Sequence, residues 1–519
     1  MKKITYILLS GIIYLFASCV EDNTQTVFKE LNEVTIEGIE DEYENVYINR
    51  TLSIHPTLTT TFNDESQLDY LWIAYDRNSR LGADTLARTK DLDAIIGLTP
   101  GEHTGKFKVF DRTTGIYYEK EFIINVVNDF TQGLLILAEN NGQAELNFWV
   151  PGRDELITDV FGLLNDGKSL GTNPHRVYFN KYTTDASSEV LVLCQDEEGG
   201  KILDNITMLE SREYKSLFIN DIGDVKPQAY FKNYMREYLI DNGLVYDRAV
   251  NTNPPSTTVK PYLSSPRGDY EIAENADFGD DESSVSRTVL YDNLNHCFYA
   301  QLSITSSSLT TVSSSGMAIS GGFFDPDNVG MDCLYAGLSS RSADETREYI
   351  GVFETEGGER HLLRMGIAFY ANIDEPSTYF KDLGNDVIQS PAINEAVSFS
   401  CSANFSGYLF YAAGNQIYVY NVLSRTGQAL YDIGSGCTID HIEIERAGNR
   451  LWVAFRDTQA TSQPAGFVGL TIQTDGGLRL EESIRHEHFA DRIVDFESKY
   501  WVHPTFRVMR QSCSAYSLN

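Results

Sequence analysis

Seven short apolar segments recur after residue 128, and they constrain the fold more than any other feature. Their centres lie 36 to 75 residues apart, and each runs apolar or alternates over a length suited to a β-strand. The segments are GLLILAE, VLVLCQ, EYLIDNGLVYD, HCFYAQL, DCLYAGL, GYLFYAAGNQIYVYN and NRLWVAFRD. Such recurrence is typical of a β-propeller, in which each blade is a small sheet. We predict a propeller over residues 131–519 with seven blades, or alternatively eight; a large sandwich, or a pair of sandwiches, is the alternative fold.

The clearest single repeat spans residues 407–449. It contains the strand GYLFYAA, a tight turn at Gly414 and Asn415, the strand QIYVYNV, a turn at Gly427, and the strands QALYDI and IDHIEIE. Glycine and asparagine suit tight turns because they adopt positive φ readily. Four strands in about 43 residues match the content of one propeller blade.

Residues 32–128 carry a different pattern of short strands separated by turns. The strand-like segments are VTIEGI, TLSIHPTL, YLWIAYD, GKFKVFD and YYEKEFIINVV. They fit a β-sandwich of roughly 95 residues with Trp72 in its core. Since aromatic residues make up 12% of the chain and suit pleated surfaces, the predicted fold class is all-β. The stretch from LTPGEHTG to EFIINVV resembles the last hairpin of PKD-type immunoglobulin-like domains, with a strand ending at Asp111 and a turn at Gly115.

The N-terminus has the features of a secretory signal peptide at residues 1–18. Two lysines precede a mostly apolar run that is too short to cross a bilayer. Two small residues stand directly before Cys19, and this junction resembles a bacterial lipobox, although Phe16 stands where the commonest pattern has leucine. We predict that Cys19 carries a lipid anchor and that residues 19–31 form a tether. A plain signal peptide with an incidental cysteine is the alternative.

The sequence VEDN, which begins directly after Cys19, resembles the surface-export signal of lipoproteins from Bacteroides and its relatives. We therefore predict an outer-membrane, lipid-anchored protein that is exposed at the cell surface. The periplasm is the alternative location.

The net charge of −33 argues against a nucleic-acid partner, because phosphate backbones would be repelled. Six cysteines follow Cys19, and none forms a Cys-x-x-Cys pair, so neither a zinc site nor a redox site is predicted from them. Their spacing assigns no disulfide.

The order of these parts resembles the PKD-like family lipoproteins of Bacteroidetes. The resemblance rests on the lipobox, the single PKD-like domain, the opening strands QGLLILAENNGQAELNFWV and the hairpin GNQIYVYN. It implies an accessory surface lipoprotein of a SusC/SusD-type outer-membrane nutrient importer. Such a protein binds a peptide or a glycan, or docks on the importer, and has no established catalytic residues.

Motifs that carry chemistry are weak in this sequence. His486 and His488 would share one face of a strand, but no third ligand is identifiable nearby, so surface histidines are the preferred interpretation. The segment starting at Asp325 resembles an EF-hand start, but its position 12 is Ala336, where a glutamate is required. No nucleophile elbow or phosphate loop occurs. We predict no catalytic residue, cofactor or metal ligand, and keep two alternatives: a glycan-active surface enzyme (a glycosidase or lyase) and a siderophore or metal-chelate capture protein.

Overall fold

The computed structural model describes most of the chain between residues 31 and 499. The described ranges are 31–48, 50–76, 82–181, 188–232, 236–249, 260–279, 288–301, 308–312, 318–341, 346–368, 380–445 and 448–499. The chain divides into two compact units, Met1–Asn128 and Asp129–Asn519. Almost all regular structure in the described residues is strand, which confirms the predicted all-β class. The predicted signal peptide and Cys19 lie outside the described residues.

Helices are few and short. Among the described residues, the one α-helix is α1 (Val160–Leu164), and 3-10 turns occur at Tyr214–Leu217, Ile393–Glu395 and Ala403–Phe405. No helix in these ranges has the length and apolar character needed to span a membrane.

Unit 1 contains nine described strands in three sheets. They are β1 (Val34–Glu37), β2 (Glu42–Tyr47), β3 (Thr51–Ile54), β4 (Thr57–Thr60), β5 (Leu68–Asp76), β6 (Asp84–Ala87), β7 (Leu92–Ile95), β8 (Gly101–Asp111) and β9 (Tyr117–Val127). The main sheet has the order β2-β9-β8-β5-β6, in which β2 runs parallel to β9 and the other pairs are antiparallel. Strand β1 pairs with β4, and β3 pairs with β7.

The core of unit 1 is apolar and contains Trp72, as predicted. The Trp72 side chain is fully buried, stacks on Phe107 at a ring distance of 4.2 Å and meets Phe122 edge-on at 5.9 Å. Its Nε1 atom donates to the carbonyl of Thr89 at 3.0 Å, so the one polar atom of the indole has a partner. Large aromatic side chains arranged in this way account for much of the energy of a small core.

The hairpin of β8 and β9 has the predicted form. The carboxylate of Asp111 accepts a hydrogen bond from Thr113 N at 2.7 Å, and Gly115 adopts a φ of 75° in the turn. The segment TLSIHPTL, in contrast, forms two strands. Pro56 lies between β3 and β4, and these strands join different sheets because proline cannot donate to a continuous ladder.

The described part of unit 2 forms seven sheets, which we number along the chain. Sheet 1 contains β10 (Gly133–Asn140), β11 (Gln143–Val150), β12 (Glu155–Ile157) and β36 (Arg492–Lys499); sheet 2 contains β13 (Pro174–Asn180), β14 (Glu189–Cys194), β15 (Gly200–Asp204) and β16 (Glu210–Glu213). Sheet 3 contains β17 (Pro227–Lys232), β18 (Arg236–Asp241) and β19 (Leu244–Ala249); sheet 4 contains β20 (Thr288–Asp292), β21 (Cys297–Gln301) and β22 (Thr310–Thr311).

The described part of unit 2 contains three further sheets. Sheet 5 contains β23 (Ala318–Ile319), β24 (Asp332–Arg341), β25 (Thr346–Glu354), β26 (Arg360–Ala368) and β27 (Phe380–Val387). Sheet 6 contains β28 (Ser398–Ser400), β29 (Tyr408–Ala413), β30 (Gln416–Asn421) and β31 (Thr426–Asp432); sheet 7 contains β32 (Cys437–Ile444), β33 (Arg450–Asp457), β34 (Ala465–Gln473) and β35 (Arg479–Ala490).

Sheet 1 joins the two ends of unit 2. Its strand order is β12-β11-β10-β36, and β36 pairs antiparallel with β10, so that Ile136 lies opposite Phe496. A sheet that pairs a strand from the beginning of the unit with its last described strand closes a ring of sheets. The topology is therefore the propeller-like β fold that the sequence predicts.

Each of the seven sequence segments lies in a different sheet. Six of them begin on a strand next to the edge of its sheet, whereas DCLYAGL forms β24, the edge strand of sheet 5. This displacement contributes to the uneven spacing of the segments along the chain.

The predicted repeat over residues 407–449 is wrong by one strand. Its last strand, β32, is the edge strand of sheet 7, and sheet 6 begins instead with β28. Gly427 lies within β31 and not in the turn that precedes it. A loop that crosses to the next sheet looks like a hairpin loop in a sequence, since both connect two alternating segments. The predicted tight turn is confirmed, because Gly414 has a φ of 60°.

Candidate binding channel

The edge strands of six of the described sheets face a common cavity of about 530 Å³, which we call the channel. These strands are β13, β17, β24, β28, β32 and β36. Residues 274–279, which precede sheet 4 along the chain and form a bridge from Ala276 to Ala336 of β24, also line the channel. The channel therefore lies at the centre of the ring of sheets, where a propeller has its central opening.

Edge strands carry backbone N–H groups that no ladder pairs, and side chains of the neighbouring sheet accept some of them. Ser398 Oγ accepts from Ile442 N at 3.1 Å, and Ser400 Oγ accepts from Ile444 N at 3.0 Å. Alternate residues of β28 accept hydrogen bonds from alternate residues of β32, because successive side chains of a strand point to opposite faces. These buried hydroxyls fasten sheet 6 to sheet 7 and satisfy groups that would otherwise be costly to bury.

Sheets 5 and 6 are joined by a tyrosine and a cysteine in a similar way. Tyr335 Oη accepts from Cys401 N at 2.8 Å, and it lies 3.4 Å from Cys401 Sγ. Burial raises the pKa of the Cys401 thiol to about 12 and raises the pKa of Tyr335 well above its usual range. Both groups are therefore neutral at neutral pH, and a protonated thiol is a poor nucleophile.

A buried ion pair joins sheets 1 and 2 at the channel wall. The Asp495 side chain is only 6% exposed; its Oδ2 accepts from Val177 N at 2.9 Å, and its Oδ1 lies 3.2 Å from Arg176 Nη1. Arg176 also donates to the Asn275 side chain. Burial would lower the pKa of Arg176, but the charge of Asp495, together with Tyr178, Glu274 and Glu443, outweighs burial and raises the pKa. The pair therefore stays charged. Its position is fixed by the contact between the two side chains, by Val177 N and by the Asn275 side chain.

His441 lies beside this ion pair. Its Nδ1 is 3.3 Å from Ser398 Oγ, and its Nε2 is 3.4 Å from Asp495 Oδ1 and 3.8 Å from Glu443 Oε2. Burial lowers the pKa of His441 to about 4, and the charge of Arg176 acts in the same direction, whereas Asp495 opposes it. The imidazole is therefore neutral at neutral pH.

Further carboxylates make the channel acidic. Glu274 lies 3.5 Å from His175 Nε2 and accepts from Gln228 Nε2 at 3.2 Å. Burial would raise the pKa of Glu274, but the hydrogen bond and charge of His175, together with Arg176 and Gln228, outweigh burial and lower the pKa. The acids at the lining outnumber the arginines: Glu274, Asp277, Glu443, Asp495 and Glu497 against Arg176, Arg341 and Arg360.

The two histidines singled out in the sequence lie away from the channel, on β35. His486 stacks on Phe467 at a ring distance of 5.2 Å, and its Nε2 lies 2.9 Å from Asp154 Oδ1. His488 has a φ of 59°, so the regular alternation of the strand is interrupted between the two histidines. Within the described ranges, these residues belong to no group of three potential metal ligands.

The Asp325 segment is an ordinary turn. Its carboxylate accepts from Asp327 N at 3.0 Å, and Gly330 follows with a φ of 70°. The five cysteines in the described ranges are free thiols: Cys194, Cys297, Cys333, Cys401 and Cys437.

The channel residues were not predicted from the sequence. His441 and Glu443 belong to the segment IDHIEIE, which was interpreted only as a strand. The alternation of polar and apolar residues there indicates a strand with one polar face, and this was the available signal. Arg176 and Asp495 gave no signal, because they are far apart in sequence and meet only through ring closure.

Comparison with protein families gives one match. Residues 19–174 match a family model described as the PKD-like family. The match covers the described strands of unit 1 and continues through β12 and α1 of unit 2. A search of curated proteins found no match.

Several solved structures are distantly similar to this chain. A quinonprotein alcohol dehydrogenase-like protein from Bacteroides thetaiotaomicron is 12% identical, with a TM-score of 0.39 over 91% of this chain and 100% of that one. PorZ, described as an essential surface component of the type-IX secretion system of Porphyromonas gingivalis, is 9% identical, with a TM-score of 0.24 over 73% of this chain and 50% of that one. An apocarotenoid oxygenase from Synechocystis is 9% identical, with a TM-score of 0.30 over 91% and 96%. Scores this low carry no argument about function. What the comparisons establish is that residues 19–174 match the model of the PKD-like family.

Proposed function

We propose that this protein is a cell-surface lipoprotein whose propeller binds cargo in the channel without catalysing a reaction. The observation that carries the proposal is the channel itself, a cavity of about 530 Å³ lined by edge strands of six of the described sheets. This volume is in the range of small-molecule sites in proteins, about 300–1,000 Å³. A peptide end or a short glycan would fill it.

The lining favours neutral or cationic cargo. Tyr178 and Tyr335 are partly exposed at the lining, and aromatic side chains stack on sugar rings or on peptide side chains. Glu274 and Glu443 are about one-third exposed and can accept hydrogen bonds from hydroxyl or amino groups. An acidic polysaccharide or a nucleic acid would be repelled by the excess of carboxylates.

The polar groups of the lining argue against catalysis. Ser398, His441 and Asp495 are the residue types of a serine hydrolase triad, and they lie in one chain of contacts. However, the Ser398 hydroxyl already accepts from the backbone of β32, and the charge of Asp495 is already paired with Arg176. In a serine hydrolase the serine hydroxyl donates to the base, and the carboxylate serves to orient that base. The arrangement supports structure more than nucleophilic attack.

The proposed location and partner rest on the N-terminal residues and on the resemblance to PKD-like family lipoproteins. A lipid on Cys19 would hold the protein at the outer membrane, and a SusC/SusD-type importer would be its partner. Modest affinity for free cargo would then suffice, because attachment to the importer raises the local concentration.

Purification from native membranes tests this proposal. The tagged full-length protein is extracted in mild detergent, and co-purifying proteins and bound small molecules are identified by mass spectrometry. We expect importer components and a peptide or glycan. A parallel preparation with Cys19→Ala should leave the membrane fraction.

Two results would contradict this proposal. If the protein is recovered alone and the purified chain turns over glycans or peptides, then the binding proposal is wrong and an enzyme takes its place. If Cys19→Ala remains in the membrane fraction at the original level, then the lipid anchor is wrong.

A further inference from the structure

We infer that the channel holds a site for one divalent transition-metal ion, formed by His441, Glu443 and Asp495. One nitrogen and two carboxylate oxygens of these residues all lie within 4.8 Å of one another. They come from two neighbouring edge strands, β32 and β36, and all three line the channel. Among the described residues no other group of three histidine, cysteine or carboxylate side chains has this geometry.

The histidine nitrogen is the second, independent observation. His441 Nε2 is buried, makes no hydrogen bond, and points toward two carboxylates at 3.4 and 3.8 Å. If the Nδ1 proton is directed at Ser398 Oγ, then Nε2 presents a lone pair to negatively charged oxygens. With this tautomer the three ligand atoms face one another in the way that a bound metal ion requires.

The distances suit a small metal ion. Ligand bonds of about 2.0–2.2 Å place neighbouring ligand atoms about 3–3.5 Å apart. The separation of Nε2 and the Asp495 oxygen already meets this requirement. The Glu443 oxygen, at 3.8 Å from Nε2, is slightly too distant. This side chain is 30% exposed and would have to move toward the other two ligands by at least a few tenths of an ångström.

Other residues would support the ligands in the usual manner of metal sites. Ser398 Oγ lies at Nδ1 of His441, while Arg176 and the backbone N–H of Val177 hold Asp495. Hydrogen-bonded partners of this kind fix ligand orientation. Arg176 also reduces the affinity because it competes for Asp495 Oδ1, although each carboxylate oxygen has two lone pairs and can bind both.

The donor set defines the class of metal. One imidazole and two carboxylates suit Zn²⁺, Mn²⁺, Fe²⁺ or Co²⁺, whereas Ca²⁺ and Mg²⁺ prefer oxygen ligands alone. Three protein ligands would leave coordination positions open to the channel. An oxygen of the cargo could bind there, but the metal site does not depend on cargo and is tested without it.

Metal titration of the full-length protein tests the inference. After dialysis against a chelator, Zn²⁺ and Co²⁺ are titrated by calorimetry and by visible absorption of Co²⁺, with Ca²⁺ as the comparison ion. We expect one equivalent of Zn²⁺ or Co²⁺, no comparable binding of Ca²⁺, and a Co²⁺ spectrum with a nitrogen ligand.

Three variants locate the site. His441→Asn and Glu443→Gln should each weaken binding about 100-fold or more, because each removes a direct ligand. His486→Ala, which removes an imidazole on β35 of the same sheet, should leave binding unchanged. If His441→Asn fails to fold, as judged by its thermal melt, Glu443→Gln decides the matter.

Two outcomes overturn the inference. The first is the absence of stoichiometric binding to the wild-type protein. The second is binding that survives Glu443→Gln, or that is lost with His486→Ala, since the ion would then lie elsewhere on the protein.

Discussion

The two units differ in what they bury. Among the described residues, unit 1 buries one charged side chain, Asp111, around an otherwise apolar core. The described part of unit 2 buries ten: Glu189, Arg236, Glu237, Asp241, Asp247, Arg248, Asp292, Asp382, Asp495 and Lys499. Burying a charge is costly unless it is paired or hydrogen-bonded, so unit 2 must contain many groups that need such partners.

The difference follows from topology. Unit 1 gathers five strands in one sheet, whereas unit 2 divides its strands among seven small sheets, each with edges and connecting loops. Buried carboxylates satisfy the N–H groups at these places: Asp292 accepts from Glu271 and Leu294, and Asp382 accepts from Phe323. Most of the buried charges therefore serve the edges and loops of the small sheets, and Asp495 is the one of the ten that also lines the channel.

Trp72→Ala tests the apolar half of this comparison and should have the largest effect. Removing a fully buried aromatic side chain costs about 3–5 kcal/mol. Scanning calorimetry of the full-length protein should show a lower melting transition for unit 1 and an unchanged one for unit 2. Trp452→Ala, in the core of unit 2, should do the reverse. If either substitution shifts both transitions equally, the units do not unfold independently.

Asp495→Ala tests the buried charges of unit 2. It leaves Arg176 without its carboxylate and Val177 N without its acceptor, and breaking such a buried pair costs about 3 kcal/mol. The matched control is Asp491→Ala, which removes an exposed hydrogen bond to Asn141 N and should cost about 1 kcal/mol or less. Urea unfolding of unit 2 measures both. Equal losses would mean that the ion pair contributes nothing particular to ring closure.

Ser400→Ala tests the hydroxyls that join sheets 6 and 7. The substitution leaves Ile444 N buried and unpaired, which costs about 1–2 kcal/mol. Ser424→Ala, in an exposed turn of the same sheet, should change stability by less than about 0.5 kcal/mol. Chemical denaturation is the measurement, and two indistinguishable midpoints would show that another group satisfies Ile444 N.

Alkylation of Cys401 should show the smallest effect. With a pKa of about 12, the thiol is protonated at pH 8, and the thiolate fraction rises only as the pH approaches that value. Iodoacetamide at pH 8 should therefore modify Cys401 slowly in the native protein and rapidly after unfolding, as measured by peptide mass spectrometry. Rapid native labelling would contradict the protonated state of the partly buried Cys401 thiol between sheets 5 and 6.

The sequence predicted those features that depend on local patterns. Alternating segments predicted the strands, the Gly115 turn predicted the last hairpin of unit 1, and seven apolar segments located one strand in each sheet of unit 2. It did not predict which strand begins each sheet, because loops within and between sheets look alike.

The channel could not be predicted from the sequence, for a different reason. Arg176 and Asp495 are separated by most of unit 2 and meet only when β36 pairs with β10. The conspicuous pair His486 and His488 lies on β35 instead, so the nearness of two histidines along the chain was a poor guide. The channel site depends on contacts between sheets, which no local pattern encodes.

The central claim is that cargo binds in the channel, and a substitution that fills the channel tests it most directly. Val397 lines the channel and is 60% exposed, so Val397→Trp can narrow the cavity without disturbing the core. Leu423→Trp, at an 81% exposed position of the turn between β30 and β31, is the matched control. Bound small molecules are measured by native mass spectrometry after purification of each protein from its own membranes. We predict that Val397→Trp loses the bound cargo while its melting temperature is unchanged, and that Leu423→Trp retains it. Equal cargo in both variants would place the binding site outside the channel and contradict the account.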